Sequence, residues 1–166
     1  LGHETGGFRQ AADAGLRRMD LFRLSDGTSL GVCGFTQLDD PERAVNIALL
    51  DGVICGPASP RTVAAMELST PGLQRWRVEM DEDIFQIFKP CEDMLAVADI
   101  AGRLKLIDPA DGKIKLDVPI SACASGVVDG RIESGVVYVY GLESRADRNR
   151  SPSQHARWSV AAVSVS

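Results

Sequence analysis

Histidine is nearly absent from this chain, aromatic residues are few, and there is no excess of positive charge. Its 166 residues include 2 His, 5% aromatics, and 18 Lys and Arg against 23 Asp and Glu, a net charge of −5. The two histidines, His3 and His155, stand far apart in polar segments. A general base needs an orienting partner and a nucleophile close by. Neither histidine has them in sequence, so both read as surface residues and no catalytic residue is assigned. The acidic balance argues against a general binder of nucleic acid or membrane surfaces, which carries a basic excess. No apolar run approaches the roughly 18 residues needed to cross a bilayer. The start, Leu1-Gly2-His3-Glu4-Thr5-Gly6-Gly7, lacks the apolar core of a signal peptide. A first residue other than Met is expected of a processed product or of a piece of something larger.

A close cysteine pair is missing too. Cys33, Cys55, Cys91 and Cys123 are widely spaced, whereas a zinc site normally needs two ligands a few residues apart to set tetrahedral geometry. Small buried thiols on strands are the expectation, and disulfide pairing stays open. The acidic stretch Glu79-Met80-Asp81-Glu82-Asp83 offers oxygen ligands for a hard cation. It has neither the glycine nor the ligand spacing of a calcium loop, and reads as a solvated connection. Asp39-Asp40-Pro41-Glu42 reads the same way. No metal site is assigned.

What the chain does have is a period. Turns of similar chemistry, Ser25-Asp26-Gly27-Thr28, Ser69-Thr70-Pro71-Gly72 and Pro109-Ala110-Asp111-Gly112-Lys113, recur at intervals of about 40 residues. Each brings a Gly able to take positive φ, as tight antiparallel connections require. Apolar segments flank every turn: Met19–Leu24 and Leu30–Phe35, Val63–Leu68 and Leu73–Val78, Leu104–Ile107 and Ile114–Val118. Leu104 and Leu106 alternate with Arg103 and Lys105, and Trp76 and Val78 with Arg75 and Arg77. That is the period of two of a half-buried strand. A second hairpin follows in each unit, at Asp51-Gly52, at Pro90-Cys91-Glu92-Asp93 and at Glu133-Ser134-Gly135. Four short antiparallel strands in roughly 40 residues fit a propeller blade. Two complete blades are expected over residues 43–80 and 83–120. Two strands of an earlier blade precede them, and three strands of another follow, ending at Trp158–Val165.

The segment "AVNIALLDGVICGPASPRTVAAMELSTPGLQRWRVEM" resembles the repeat of the pyrroloquinoline-quinone (PQQ) type propellers. Ala65-Met66-Glu67, Thr70-Pro71-Gly72 and Trp76 stand at its characteristic places, and "MLAVADIAGRLKLIDPADGKIKLDVPI" repeats the pattern with Leu116 where Trp is expected. "GRIESGVVYVYG" with "WSVAAVSV" is a third copy with a longer hairpin loop. Tryptophan–aspartate (WD) repeat propellers are the competing resemblance, although no Gly-His or Trp-Asp dipeptide occurs. In quinoprotein dehydrogenases of the first kind, the resemblance implies a cofactor on the propeller axis, with Ca²⁺, a catalytic carboxylate and often adjacent cysteines. The chain has no Cys-Cys pair, and no residue matches that family's catalytic motifs. Neither cofactor nor catalytic residue is carried over.

The segment least like a minimal hairpin is 143–157, which holds Arg145, Arg148, Arg150, His155 and Arg157. Long loops on rigid scaffolds often carry binding function, and the arginine fork suits carboxylate or phosphate. These five residues form the candidate partner-binding loop; a tolerated insertion is the plain alternative, and an anion or RNA contact a third. Asn149-Arg150-Ser151 also matches a glycosylation acceptor. Trp76, Trp158, Phe85, Phe88, Tyr138 and Tyr140 are expected to pack in the core or between blades rather than to stack on a ligand.

The expectation is therefore an all-β chain, a β-propeller segment of about three four-stranded antiparallel blades. Residues 1–18 form a short helix or disordered lead-in, and residues 19–166 form blades incomplete at both ends. The expected role is a non-enzymatic scaffold for protein–protein interaction, completed by further blades or a protein partner. The alternative is a fragment of a quinoprotein-like oxidoreductase whose active-site residues lie outside this segment.

Overall fold

A computed structural model describes residues 16–23, 25–36, 47–50, 52–142 and 158–165. Thirteen strands run in chain order: β1 Leu16–Phe22, β2 Ser29–Thr36, β3 Ala48–Leu50, β4 Val53–Ser59, β5 Thr62–Glu67, β6 Gln74–Glu79, β7 Ile84–Cys91, β8 Met94–Asp99, β9 Arg103–Ile107, β10 Ile114–Pro119, β11 Gly126–Glu133, β12 Val136–Leu142 and β13 Trp158–Ser164. Within each sheet, strands adjacent in sequence pair antiparallel. They form a two-stranded, two four-stranded and a three-stranded sheet: β1-β2, β3-β4-β5-β6, β7-β8-β9-β10 and β11-β12-β13. The expected blade order and strand numbers are therefore observed. The one helical element among the described residues is a single 3-10 turn at Ser121–Cys123, before the last sheet.

Two boundaries depart from expectation. Strand β1 begins at Leu16, so residues 16–18 of the expected lead-in are extended and pair with Thr36, Phe35 and Gly34. Residues 1–15 lie outside the described residues. Strand β7 continues through Pro90 to Cys91, which pairs with Met94, leaving Glu92-Asp93 as the turn. A register irregularity between Phe88 and Cys91 accommodates Pro90, which has no N–H to give to a ladder.

The core lies between the sheets, because each strand sends alternate side chains to opposite faces. Leu21, Cys33 and Phe35 of the first sheet meet Ile54 of the second. Val53, Cys55, Val63, Ala65 and Trp76, on the other face of the second sheet, meet Ile84, Ile87, Leu95, Val97 and Ile107 of the third. Phe88, Ala96, Leu104 and Leu106 of the third meet Val127, Val137 and Val139 of the fourth. Both faces of the two middle blades are thus buried, which is why β4, β5, β8 and β9 read as nearly continuous apolar runs.

The acidic connection 79–83 joins successive blades through charge. Arg61, in the β4–β5 turn, reaches Asp83 and Glu82 at 3.1 Å each. Asp81 forms an ion pair with Arg103 at 3.2 Å and lies 3.6 Å from Lys105, both on β9. Lys105 is buried and also pairs with Asp117 at 3.3 Å. The buried ammonium thus has two carboxylates, which offsets part of its desolvation cost.

Candidate functional site

The expected binding loop, with Arg145, Arg148, Arg150, His155 and Arg157, lies outside the described residues, as do His3 and the Asp39–Glu42 segment. The described residues hold no group of three or more His, Cys, Asp or Glu arranged to take a metal ion. All four cysteines are thiols, with Cys33, Cys55 and Cys123 buried and Cys91 half-buried. Burial pushes the Cys55 thiol up to about 12, against a smaller downward pull from Arg75. A thiol held neutral in this way is a packing group and a poor nucleophile.

Asp99 is the most buried carboxylate described, at 1% exposure. Its Oδ1 accepts the Ala101 and Arg103 backbone N–H groups at 2.9 Å each, closing the β8–β9 hairpin. Its Oδ2 is buried without a hydrogen-bond partner. Burial raises its pKa, the two backbone donors pull it down, and the charges of Asp81 and Glu82 add to the rise. The carboxylate serves the turn.

The last blade presents the feature with the clearest meaning for function. One of its faces is packed: Val127, Val137 and Val139 are buried against the third blade, with Ala161 and Val163 half-buried beside them. Residues of the opposite face follow from register, since direct antiparallel partners share a face. Asp129 pairs with Tyr140, Arg131 with Tyr138, Tyr140 with Val160 and Tyr138 with Ala162. This face is open to solvent: Val160 is 75% exposed, Trp158 58%, and Tyr138 and Tyr140 41% each.

Its chemistry is graded across the sheet. Strand β11 contributes charge, with Arg131 bonded to Glu133 at 2.9 Å. Strand β12 contributes two tyrosines. The Tyr140 hydroxyl donates to Asp129 at 3.4 Å, and its pKa is raised by partial burial first and by that carboxylate second. Strand β13 contributes Trp158, whose ring lies 6.1 Å from that of Tyr140 at 48°, and Val160. Large apolar side chains clustered on one exposed face mark a contact surface more often than a solvated one.

The equivalent positions in the complete blades show what such a face is built for. Val63 and Ala65 of β5 face the following blade and are fully buried there. Val160 and Ala162 hold the same places on β13, in a segment Val160-Ala161-Ala162 that repeats Val63-Ala64-Ala65 residue for residue. The sequence reading placed Tyr138, Tyr140 and Trp158 among packed aromatics. Trp76 and Phe88 are buried and Phe85 half-buried, as expected, but Tyr138, Tyr140 and Trp158 face no neighbouring sheet among the described residues. The strand pattern located them; which blade comes last decided their exposure.

No family model matches the chain, and no curated protein matches it in sequence. Among solved structures it is similar to BamB from Moraxella catarrhalis, with TM-score 0.55 and 13% identity over 80% of this chain and 39% of that one. It is also similar to a protein of unknown function from Bacteroides caccae, with TM-score 0.56 and 14% identity over 90% and 56%. A computationally designed protein, Ika4, matches over 100% of both chains with TM-score 0.62 and 12% identity. At these identities the likeness concerns the fold alone. That fold is all-β, a β-propeller segment of four-stranded antiparallel blades. The chain spans 39% of the length of BamB and 56% of that of the Bacteroides protein.

Proposed function

We propose that this propeller segment acts as a non-enzymatic scaffold whose last blade face packs against a protein surface, either further blades or another subunit. One observation carries the reading: the counterparts of Val63 and Ala65, which are fully buried between blades on β5, are Val160 and Ala162, laid open on β13 and flanked by Tyr138, Tyr140 and Trp158. Burying apolar surface stabilises by about 25 cal/mol per Å², so a face of this composition gains most from a dry, flat partner such as another sheet. The charges of Asp129, Arg131 and Glu133 along one side fit the polar rim of such an interface.

A photo-crosslinking residue in place of Val160, compared with the same residue in place of exposed Ala110, tests this in extracts of the source cells. A discrete adduct at position 160, absent at position 110 and lost with Tyr138→Glu, is the expected result. No adduct, or the same scatter of adducts at both positions, would defeat the reading.

A further inference from the structure

The last strand of each of the first three sheets bends at the same place. Strands β2, β6 and β10 each skip one residue of the ladder, Leu30, Arg75 and Lys115, and pairing resumes at Leu21↔Gly31, Ala65↔Trp76 and Leu106↔Leu116. A bulge re-aims the side chain beside it. Gly31, Trp76 and Leu116 are therefore equivalent positions, filled by side chains of very different size. The hairpin turns ahead of these strands differ as well. Backbone hydrogen bonds between Arg23 and Thr28, and between Asp108 and Lys113, each enclose four residues. In both turns an Asp precedes the Gly, and the Oδ1 of Asp26 or Asp111 accepts the N–H two residues on at 3.0 Å. The turn of the second sheet, closed between Glu67 and Leu73, encloses five residues and has Pro71 before Gly72.

Two junctions between blades set such a turn against the bulged strand of the sheet before it, and their polarity is opposite. At the first, the turn supplies the bulk. Pro71 lies on Gly31, where a Cβ would fall 2.9 Å from the Pro71 Cβ. At the second, the strand supplies the bulk. The Trp76 ring lies on Gly112, and its indole N–H donates to the Pro109 carbonyl. We propose that the Pro71 turn is a plug and the Asp111-Gly112 turn a socket, and that this difference fixes which blade follows which. A strand with Gly after its bulge takes the longer turn carrying Pro, and a strand with Trp there takes the shorter Asp-Gly turn. Either exchange is penalised by packing, because proline set on indole overlaps it and glycine set on glycine leaves a void.

Such a device answers a hazard of repeat architecture. Strand pairing within a blade is the same whichever blade lies beside it, so similar repeats misassemble by exchanging neighbours. Matched turns and bulges make the correct neighbour the one that packs without overlap or void. The test transplants the plug into the second junction of the intact chain. Leu68-Ser69-Thr70-Pro71-Gly72 replaces Pro109-Ala110-Asp111-Gly112, once in the parent sequence and once together with Trp76→Gly. The transplant is expected to lower the melting temperature of the parent by about 5 °C or more. In the Trp76→Gly background it is expected to raise it, since the first junction is then reproduced at the second.

A turn that is merely poor in its new place destabilises both backgrounds, so the opposite signs are the signature. A fall in both, or no change in either, would overturn the proposal. A milder pair at the first junction covers the case in which a transplanted chain does not fold. Gly31→Ala is expected to lower the melting temperature more in the parent than in Pro71→Gly, where the colliding ring is gone. Equal falls in the two backgrounds would overturn the proposal.

Discussion

The indole N–H of Trp76 donates to the carbonyl of Pro109 at 2.8 Å, across the boundary between two blades. The ring itself lies against Gly112, where a Cβ would fall 2.8 Å from the indole Cγ, and Gly112 has φ of +77°. A hairpin turn of one blade is thus shaped to receive the largest side chain of the blade before it. Glycine serves there twice, for the positive φ and for the close approach.

Trp76→Ala removes that wedge and leaves the Pro109 carbonyl without its donor. A loss of about 3–5 kcal/mol is expected, the range for a buried aromatic truncated to Ala. Trp76→Phe keeps most of the area and gives up the hydrogen bond, at about 0.5–1.5 kcal/mol. Urea unfolding followed by circular dichroism measures both, and equal losses would show that the hydrogen bond, not the packing, holds the junction.

The same tripeptide in two settings predicts opposite tolerance. Val63→Lys places a charge between two blades and is expected to cost more than about 4 kcal/mol or to prevent folding. Val160→Lys, on the open face, is expected to change stability by no more than about 0.5 kcal/mol. Melting temperatures of the two variants in isolation decide it; comparable losses would mean that Val160 is covered in the free chain.

Asp99 gives the fold a pH dependence of known sign. Its folded-state pKa is raised by burial, so the folded chain holds that proton more readily than the unfolded one. Stability from this group is fully present below the unfolded carboxylate value and is lost as pH rises through the raised folded value. Asp99→Asn keeps the side-chain oxygen that closes the hairpin and removes the charge. It is expected to flatten the decline in melting temperature over that range, and an unchanged slope would assign the decline to other groups.

Thiol chemistry separates Cys91 from the rest. Cys33, Cys55 and Cys123 are buried and Cys91 is half-buried, and burial raises the pKa of Cys33, Cys55 and Cys91. A disulfide reagent at mildly alkaline pH is expected to modify Cys91 first. The other three should react only at the rate of unfolding. Prompt modification of Cys55 would show that the junction between the second and third blades opens readily.

Much of this architecture is legible in the residues. The turns were found because each demands a particular backbone: Gly27, Gly52, Gly72, Gly112 and Gly135 all have positive φ. The interrupted ends of the blades followed from counting strands. Boundaries without a glycine were harder to read. Strand β1 runs back to Leu16 through Arg17 and Arg18 because pairing with β2 continues, and arginine has no local chemistry that announces a strand. Pro90 looked like a turn residue and sits in β7, since an irregularity takes it out of the ladder.

By itself the sequence determined the period, the antiparallel hairpins and the apolar alternation, because turn geometry and side-chain alternation are local properties of the chain. It could not separate Val63-Ala64-Ala65 from Val160-Ala161-Ala162, which are identical in residue type and in strand phase. Only the tertiary structure decided that one is core and the other an open face. Burial depends on whether a sheet lies across from a strand, and that is a relation between blades with no trace in the residues that bear it.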